Sequence, residues 1–212
     1  MTQLKKFIFN PFQVNTYVLY DATKECVIID PGCSDGKECN QLIAFLEDEE
    51  LMPMHMLLTH THIDHVVGCN MLEERLGLEP KAHKAGLPFL DHSTSTASTY
   101  GLKLDRNPEV KQFIDEGDNI TFGKSSLEVL YTPGHASGSV CFYSKEDKFV
   151  IAGDVLFQMS IGRTDFPTGD YDLLKKSIFE KLFVLPDDTI VYSGHGPETS
   201  IGFEKANNPF LG

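Results

Sequence analysis

The residues best able to do chemistry in this sequence are gathered in Thr59-His60-Thr61-His62-Ile63-Asp64-His65-Val66-Val67-Gly68. Four residues of metal-ligand type, His60, His62, Asp64 and His65, fall within six positions there. They follow an apolar run, Met54-His55-Met56-Leu57-Leu58, that reads as a buried strand. In extended or tightly turning backbone His60 and His62 point the same way, because side chains repeat with a period of two. A helix beginning near Asp64 would fan Asp64 and His65 from its first turn toward the same pocket. Imidazoles this close repel one another as cations, so they are expected to stay neutral and bind metal.

Three later positions repeat the arrangement. Thr132-Pro133-Gly134-His135 follows a strand at Leu127–Tyr131, Ala152-Gly153-Asp154 follows Phe149–Ile151, and Ser193-Gly194-His195-Gly196-Pro197 follows Thr189–Tyr192. Each sets one ligand-type residue just past a strand, flanked by glycine that lets the backbone turn sharply. The candidate ligands are therefore His60, His62, Asp64, His65, His135, Asp154 and His195. An all-nitrogen-and-oxygen set suits Zn²⁺, Fe²⁺ or Mn²⁺, and the lack of cysteine speaks against a closed structural zinc site. Seven ligands are too many for one tetrahedral ion and suit two divalent ions sharing a carboxylate. Such a pair polarises a carbonyl while a shared water, acidified by both metals, supplies hydroxide. Zinc is the first expectation, with iron or manganese as alternatives.

The elements that must carry these ligands are legible in the apolar pattern. Strands are expected at Leu4–Phe9, Asn15–Tyr20 and Glu25–Asp30, separated by Pro11 and the turn Asp21-Ala22-Thr23-Lys24. Ser34 or Asp35 caps a helix running to about Glu49, with Leu42, Ile43, Phe45 and Leu46 on its apolar face. Asn70 to Leu76 reads as helix stopped by Gly77. From Lys84 to Pro108 the pattern dissolves into Ser, Thr, Gly and Pro, and reads as a long loop: a lid, a substrate wall or a surface excursion. Strands resume at Ile120–Phe122, Leu127–Tyr131, Val140–Ser144 and Phe149–Ala152. A helix from about Tyr171 to Phe183 then leads to a last strand at Thr189–Ser193. Two groups of strands, each followed by helix, give an α/β fold with a sheet-rich core and helices outside, for which a four-layer sandwich is one solution.

At 212 residues, a single domain spanning 1–212 is expected. A formal net charge of -13 argues against nucleic acid or an anionic membrane as partner, which leaves a small-molecule substrate. The five cysteines are odd in number and form no C-x-x-C pair, which suggests free thiols in a reducing compartment. Met1–Phe9 is too short an apolar stretch for a signal segment and no run reaches membrane-span length, so the expected location is cytoplasmic.

Other chemistry-bearing residues have plainer readings. His55, His83 and His92 lack corroborating neighbours, Cys26 and Cys141 lie in core strands, and Cys69 is read as small apolar packing. Arg163 either binds a substrate carboxylate through its planar fork or pairs with Asp165 or Asp170 to fix its own loop. Gly123-Lys124-Ser125-Ser126 imitates a phosphate-binding loop, but Gly117 is one position out of register and a strand follows where a helix is required.

Taken together, T-H-x-H-x-D-H-x-x-G, T-P-G-H, G-D and G-H-G-P resemble the metallo-β-lactamase superfamily over nearly the whole chain. The resemblance implies a four-layer αβ/βα sandwich with two metals at one edge of its sheets. It implies His60, His62 and His135 on one metal, Asp64, His65 and His195 on the other, and Asp154 bridging. The segment Gly162-Arg163-Thr164-Asp165-Phe166-Pro167-Thr168-Gly169-Asp170, with Gly194–Pro197 and Asn208-Pro209-Phe210-Leu211, resembles the short glyoxalase II-like hydrolases of bacteria. That subgroup implies hydrolysis of a hydroxyacylglutathione-type thioester by a metal-bridging hydroxide, with Asp64 orienting the hydroxide through its second oxygen. Full-length glyoxalase II carries a C-terminal helical domain that helps hold glutathione. The chain ends soon after His195, which leaves the thiol carrier open. The competing expectation is a persulfide dioxygenase of the same superfamily, which has a similar G-R-T-D-F segment and uses one Fe²⁺ on two His and one Asp.

Overall fold

The chain opens with three antiparallel strands, β1 (Gln3–Phe9), β2 (Val14–Tyr20) and β3 (Glu25–Ile29), in a computed structural model that describes residues 1–212. Helix α1 (Gly36–Asp48) begins where the Asp35 carboxylate accepts the N–H groups of Lys37 and Glu38, and it crosses to β4 (Met52–Leu57), parallel to β3. Helices α2 (Ile63–Val66) and α3 (Cys69–Leu76) follow, the second ended by Gly77 at φ 68°. Then come β5 (Pro80–Ala82), α4 (Leu87–Leu90), α5 (Ser93–Thr99) and β6 (Gln112–Phe113), completing a six-stranded sheet in chain order.

The second half supplies β7 (Asn119–Phe122), β8 (Ser125–Tyr131), β9 (Val140–Ser144), β10 (Phe149–Gly153) and the small hairpin β11 (Leu156–Phe157) and β12 (Ser160–Ile161). Helix α6 (Tyr171–Ser177) runs on into a π-helical turn, Ile178–Leu182, before β13 (Ile190–Ser193), β14 (Thr199–Ser200) and α7 (Ile201–Asn207). The second sheet has the order β14-β13-β10-β9-β8-β7.

Alternation along the strands shows how the layers stack. In β2 and β3, Tyr17, Leu19, Val27 and Ile29 turn inward against Phe122, Val129, Phe142 and Ile151 of the second sheet. Their neighbours Val18, Cys26 and Ile28 turn outward onto Leu42 and Leu46 of α1 and Leu72 of α3. Likewise Val150 and Ala152 of β10 face Leu174, Ile178 and Leu182. Both faces of the central strands are covered, which is why they read as nearly continuous apolar runs. The result is the expected four layers, helix, sheet, sheet, helix.

At one edge the sheets are lashed together. Asn15 N–H donates to Gly194 O at 2.7 Å, Val140 N–H to Thr59 O at 2.8 Å, and Tyr17 O–H to Ser193 O at 2.6 Å. At the opposite edge the Asp21 carboxylate clasps two turns, accepting from Thr23 N–H, Lys124 N–H and the Ser125 hydroxyl. Burial pushes its pKa up, but the hydrogen bonds from Thr23, Lys124 and Ser125 outweigh it and bring it to about 2.

The segment from Lys84 to Pro108 departs from the long loop expected. It folds into a 3₁₀ turn at Lys84–Gly86 and helices α4 and α5. Ser and Thr have weak helix propensity, so Ser93–Thr99 is helical for tertiary reasons. Ala97 is buried with Leu90 and Leu102 in the core, and Thr94 N–H finds the Asn107 side chain at 2.8 Å.

Candidate metal centre

β10 and β13 run parallel, and β8 shares their direction through antiparallel β9. Their C-terminal ends therefore meet at the lashed edge, where β4 also ends. The chain leaves β4 through a bend at Thr59, and His62, in extended backbone, stands as the cap residue of α2. Asp64 and His65 follow in the first turn of that helix, as the spacing anticipates. His135 lies between β8 and β9, Asp154 just past β10, and His195 just past β13.

These residues converge. Ligand atoms of His60, His62 and His135 lie within 4.8 Å of one another, as do those of Asp64, His65 and His195. Asp154 lies between the two triads: Oδ1 is 3.4 Å from His65 Nε2, and Oδ2 is 3.5 Å from His195 Nε2 and 3.7 Å from His135 Nε2. Asp64 Oδ2 is 3.3 Å from His195 Nε2 and 3.7 Å from His65 Nε2. Two glycines leave the room this needs. A Cβ at Gly194 would collide with Asp154 Oδ1 and sit 2.8 Å from His65 Cε1, and one at Gly153, whose φ is 49°, would collide with the Thr59 side chain.

Four buried atoms in the cluster have no hydrogen-bond partner: Nε2 of His60, His62 and His65, and Oδ1 of Asp154. Leaving such groups unpaired costs about 1–3 kcal/mol each. Divalent cations held by the two triads would satisfy all of them, so the donor set fits metal on both chemistry and burial.

Charge is unevenly shared between the triads. Burial, reinforced by neighbouring histidines, pulls His60 well below the ordinary imidazole value and His62 down to about 3; burial also lowers His135. For His195 burial also pulls downward, but hydrogen bonds to Asp154 and Asp64 prevail and raise it to about 9. His65 is raised in the same way, burial being outweighed by Asp64, Asp154 and Asp30. The first triad is thus three neutral nitrogens, while the second holds protons against its carboxylates.

Each ring but one is tethered through Nδ1. His135 Nδ1 donates to Arg163 O at 2.8 Å and His195 Nδ1 to Phe12 O at 3.0 Å, because a carbonyl can only accept. His65 Nδ1 meets Asp30 Oδ2 at 3.0 Å. The Thr59 hydroxyl donates to that same oxygen at 2.6 Å, so it accepts from His60 Nδ1 at 3.1 Å. These tethers leave Nε2 of four rings free to coordinate. His62 differs: its Nδ1 faces His135 Nε2 at 3.0 Å. Asp30 is the residue that the sequence reading missed, assigned there only as the end of a strand. The run Asp30-Pro31-Gly32 carried the same signal as the other ligand turns, an acid and a glycine at a strand end.

The centre opens into a cavity of about 650 Å³. Arg163 lines it, with Nε and Nη2 donating to Asp165 Oδ1 and Oδ2 at 2.7 and 2.6 Å and the guanidinium 3.8 Å from the Phe166 ring centre. Of its two expected acidic partners it takes Asp165; Asp170 caps α6 through Leu173 N–H. His55, His83 and His92 stay outside the cluster, and Cys69 is packed in the first core.

A family model described as the metallo-beta-lactamase superfamily matches residues 9–195. Hydroxyacylglutathione hydrolase GloC of Haemophilus influenzae is 41% identical over 202 residues, covering 94% of this chain and 93% of its own. The crystal structure of BLEG-1 B3 metallo-beta-lactamase is similar at a TM-score of 0.88 and 38% identity, covering 99% of both chains. That of TTHA1623 in a di-iron-bound form gives 0.87 and 37%, covering 98% of this chain and all of its own.

Proposed function

The chain belongs to the metallo-beta-lactamase superfamily, and we propose that within it the protein is a metal-dependent thioester hydrolase of the glyoxalase II-like kind. The observation that carries this reading is the pair of complete triads with Asp154 between them. His60, His62 and His135 would hold one divalent ion, Asp64, His65 and His195 a second, and Asp154 would face both. Zinc suits these donors, with iron or manganese as alternatives. Bound there, the ions supply an acidified water and a polarised acyl carbonyl.

The chain's own groups complete the chemistry. Asp64 lines the cavity, and its Oδ1, outside the contacts of Oδ2, would accept a hydrogen bond from the water that the ions supply and would aim it. The tethers on Nδ1 hold the imidazoles in the tautomer that presents Nε2, so no proton has to move within the rings during turnover. A free thiol titrates at about 8.5, so the thiolate leaves without a dedicated protein acid. The relative named hydroxyacylglutathione hydrolase supports a thioester as the substrate class.

A one-iron dioxygenase using two His and one Asp accounts for fewer of these residues, leaving a second complete triad without a role. No helix is long and apolar enough to cross a membrane. The five buried, unpaired cysteines support a cytoplasmic setting, and the partner is a small molecule, not nucleic acid.

The test is metal analysis joined to a substrate panel of S-lactoylglutathione, simpler thioesters, a lactone and a β-lactam. Two ions per chain with thioester turnover are expected. Failure on every thioester, turnover of the β-lactam alone, or oxygen uptake with glutathione persulfide at one iron per chain overturns the reading.

A further inference from the structure

We propose that the arm of the substrate filling the cavity is uncharged and aromatic or apolar, not an anionic peptide. The inference rests on the thioester reading above and narrows its substrate class.

Aromatic rings surround the centre on both sides. Phe89 of α4 and Phe166 meet the His62 ring edge-on at 4.9 and 5.5 Å, and Phe157 of β11 lies 6.3 Å from His195. At the rim Phe12 and Tyr100 stand edge to face at 5.7 Å. Phe12 is fixed from two directions: its N–H donates to Asn10 Oδ1 at 2.9 Å and its carbonyl receives His195 Nδ1. A wall so pre-positioned packs a planar or apolar arm without having to be ordered first.

The same wall offers little to an anion. Arg163 is the one lysine or arginine lining the cavity. Its fork is closed by both oxygens of Asp165, two positions along the same loop, and its face lies on Phe166. The pair carries no net charge, so an incoming carboxylate must displace a tethered one that already has bidentate geometry. The hydroxyls of Ser93, Thr96 and Tyr100 remain as neutral hydrogen-bonding groups on this wall. The net charge of -13 adds a field that opposes anionic ligands at a distance.

The experiment measures kcat/KM on the metal-loaded protein for S-lactoylglutathione and for two neutral aromatic thioesters. One has the phenyl group on the thiol side (S-benzyl thiolactate) and the other on the acyl side (the mandeloyl thioester of N-acetylcysteamine). At least one aromatic thioester should exceed S-lactoylglutathione by about tenfold, the scale on which burying a phenyl ring acts. Phe89→Ala and Tyr100→Ala should each lower that ratio several-fold. S-lactoylglutathione equal to or better than both aromatic thioesters overturns the inference and leaves thioester hydrolysis standing. If no thioester is cleaved, the functional reading itself falls. Calorimetry then decides on the cavity alone: benzyl mercaptan binding no tighter than glutathione overturns the inference as well.

Discussion

Asp30 Oδ2 lies 3.0 Å from His65 Nδ1, and because the same oxygen takes the Thr59 hydroxyl, one buried carboxylate orients a ligand in each triad. Asp30→Asn keeps the shape but puts an N–H₂ where one of two acceptor oxygens stood. Affinity for both ions should fall, by about 10- to 100-fold. Competition with a chromogenic chelator measures it; a loss confined to the His65 ion would break the proposed relay through Thr59.

Asp154 is the group that both triads face. Asp154→Ala should lower the metal content to one ion per chain or less and reduce kcat by at least about 100-fold. Elemental analysis and turnover are read on the same sample, with circular dichroism confirming the fold. Full turnover would remove the bridging role.

Metal uptake should displace protons from one triad and not the other. His60, His62 and His135 are held neutral, whereas His195, at about 9, and His65 keep protons at neutral pH when the centre is empty. The first ion should bind with little proton release and the second with about one to two protons released. Raising the pH toward 9 removes the competing proton, so affinity for the second ion should climb over that range and then level off. The sign for stability is opposite in metal-free protein. A raised pKa means that the His195 contribution is full below its unfolded value of about 6.5 and is lost as pH rises through 9. Calorimetry in buffers of different ionisation enthalpy reads the protons directly.

The Asp21 clasp gives a pH signature far from the metals. Its carboxyl is lowered from the usual range to about 2, so its contribution is present above pH of about 3.9 and disappears as pH falls through 2. Asp21→Asn should cost about 2 kcal/mol at pH 6, the scale of charge-assisted hydrogen bonds. The gap between the two proteins in urea unfolding should close in strong acid; a gap independent of pH would mean that shape, not charge, is what the clasp supplies.

The legible parts of this chain were those with a local signature. Val14–Tyr20 and Phe149–Gly153 are buried on both faces and read as mostly apolar runs, broken in the first by Asn15 and Thr16. His135, Asp154 and His195 each stood beyond a strand beside a glycine, and at one of these glycines, Gly194, a side chain would fill the centre. Asp30 and Asp154 look alike in sequence, since both are acids at strand ends. What separates them is through-space: Asp30 adopts φ 51°, and its carboxylate reaches Thr59 and His65 from behind the cluster. Strands β5, β6, β11, β12 and β14 have two or three residues each, too few for alternation to show. α5 forms against its own propensity, so only its contacts could reveal it.

Each triad draws two ligands from the first sheet's half of the chain and one from the second's: His60 and His62 with His135, and Asp64 and His65 with His195. Neither half by itself presents a complete triad. Metal loading is therefore also a reading of whether the two sheets have docked. A chain nicked between Phe113 and Asn119 would use its ions as the signal of reassembly, binding at full strength only where the halves have found each other.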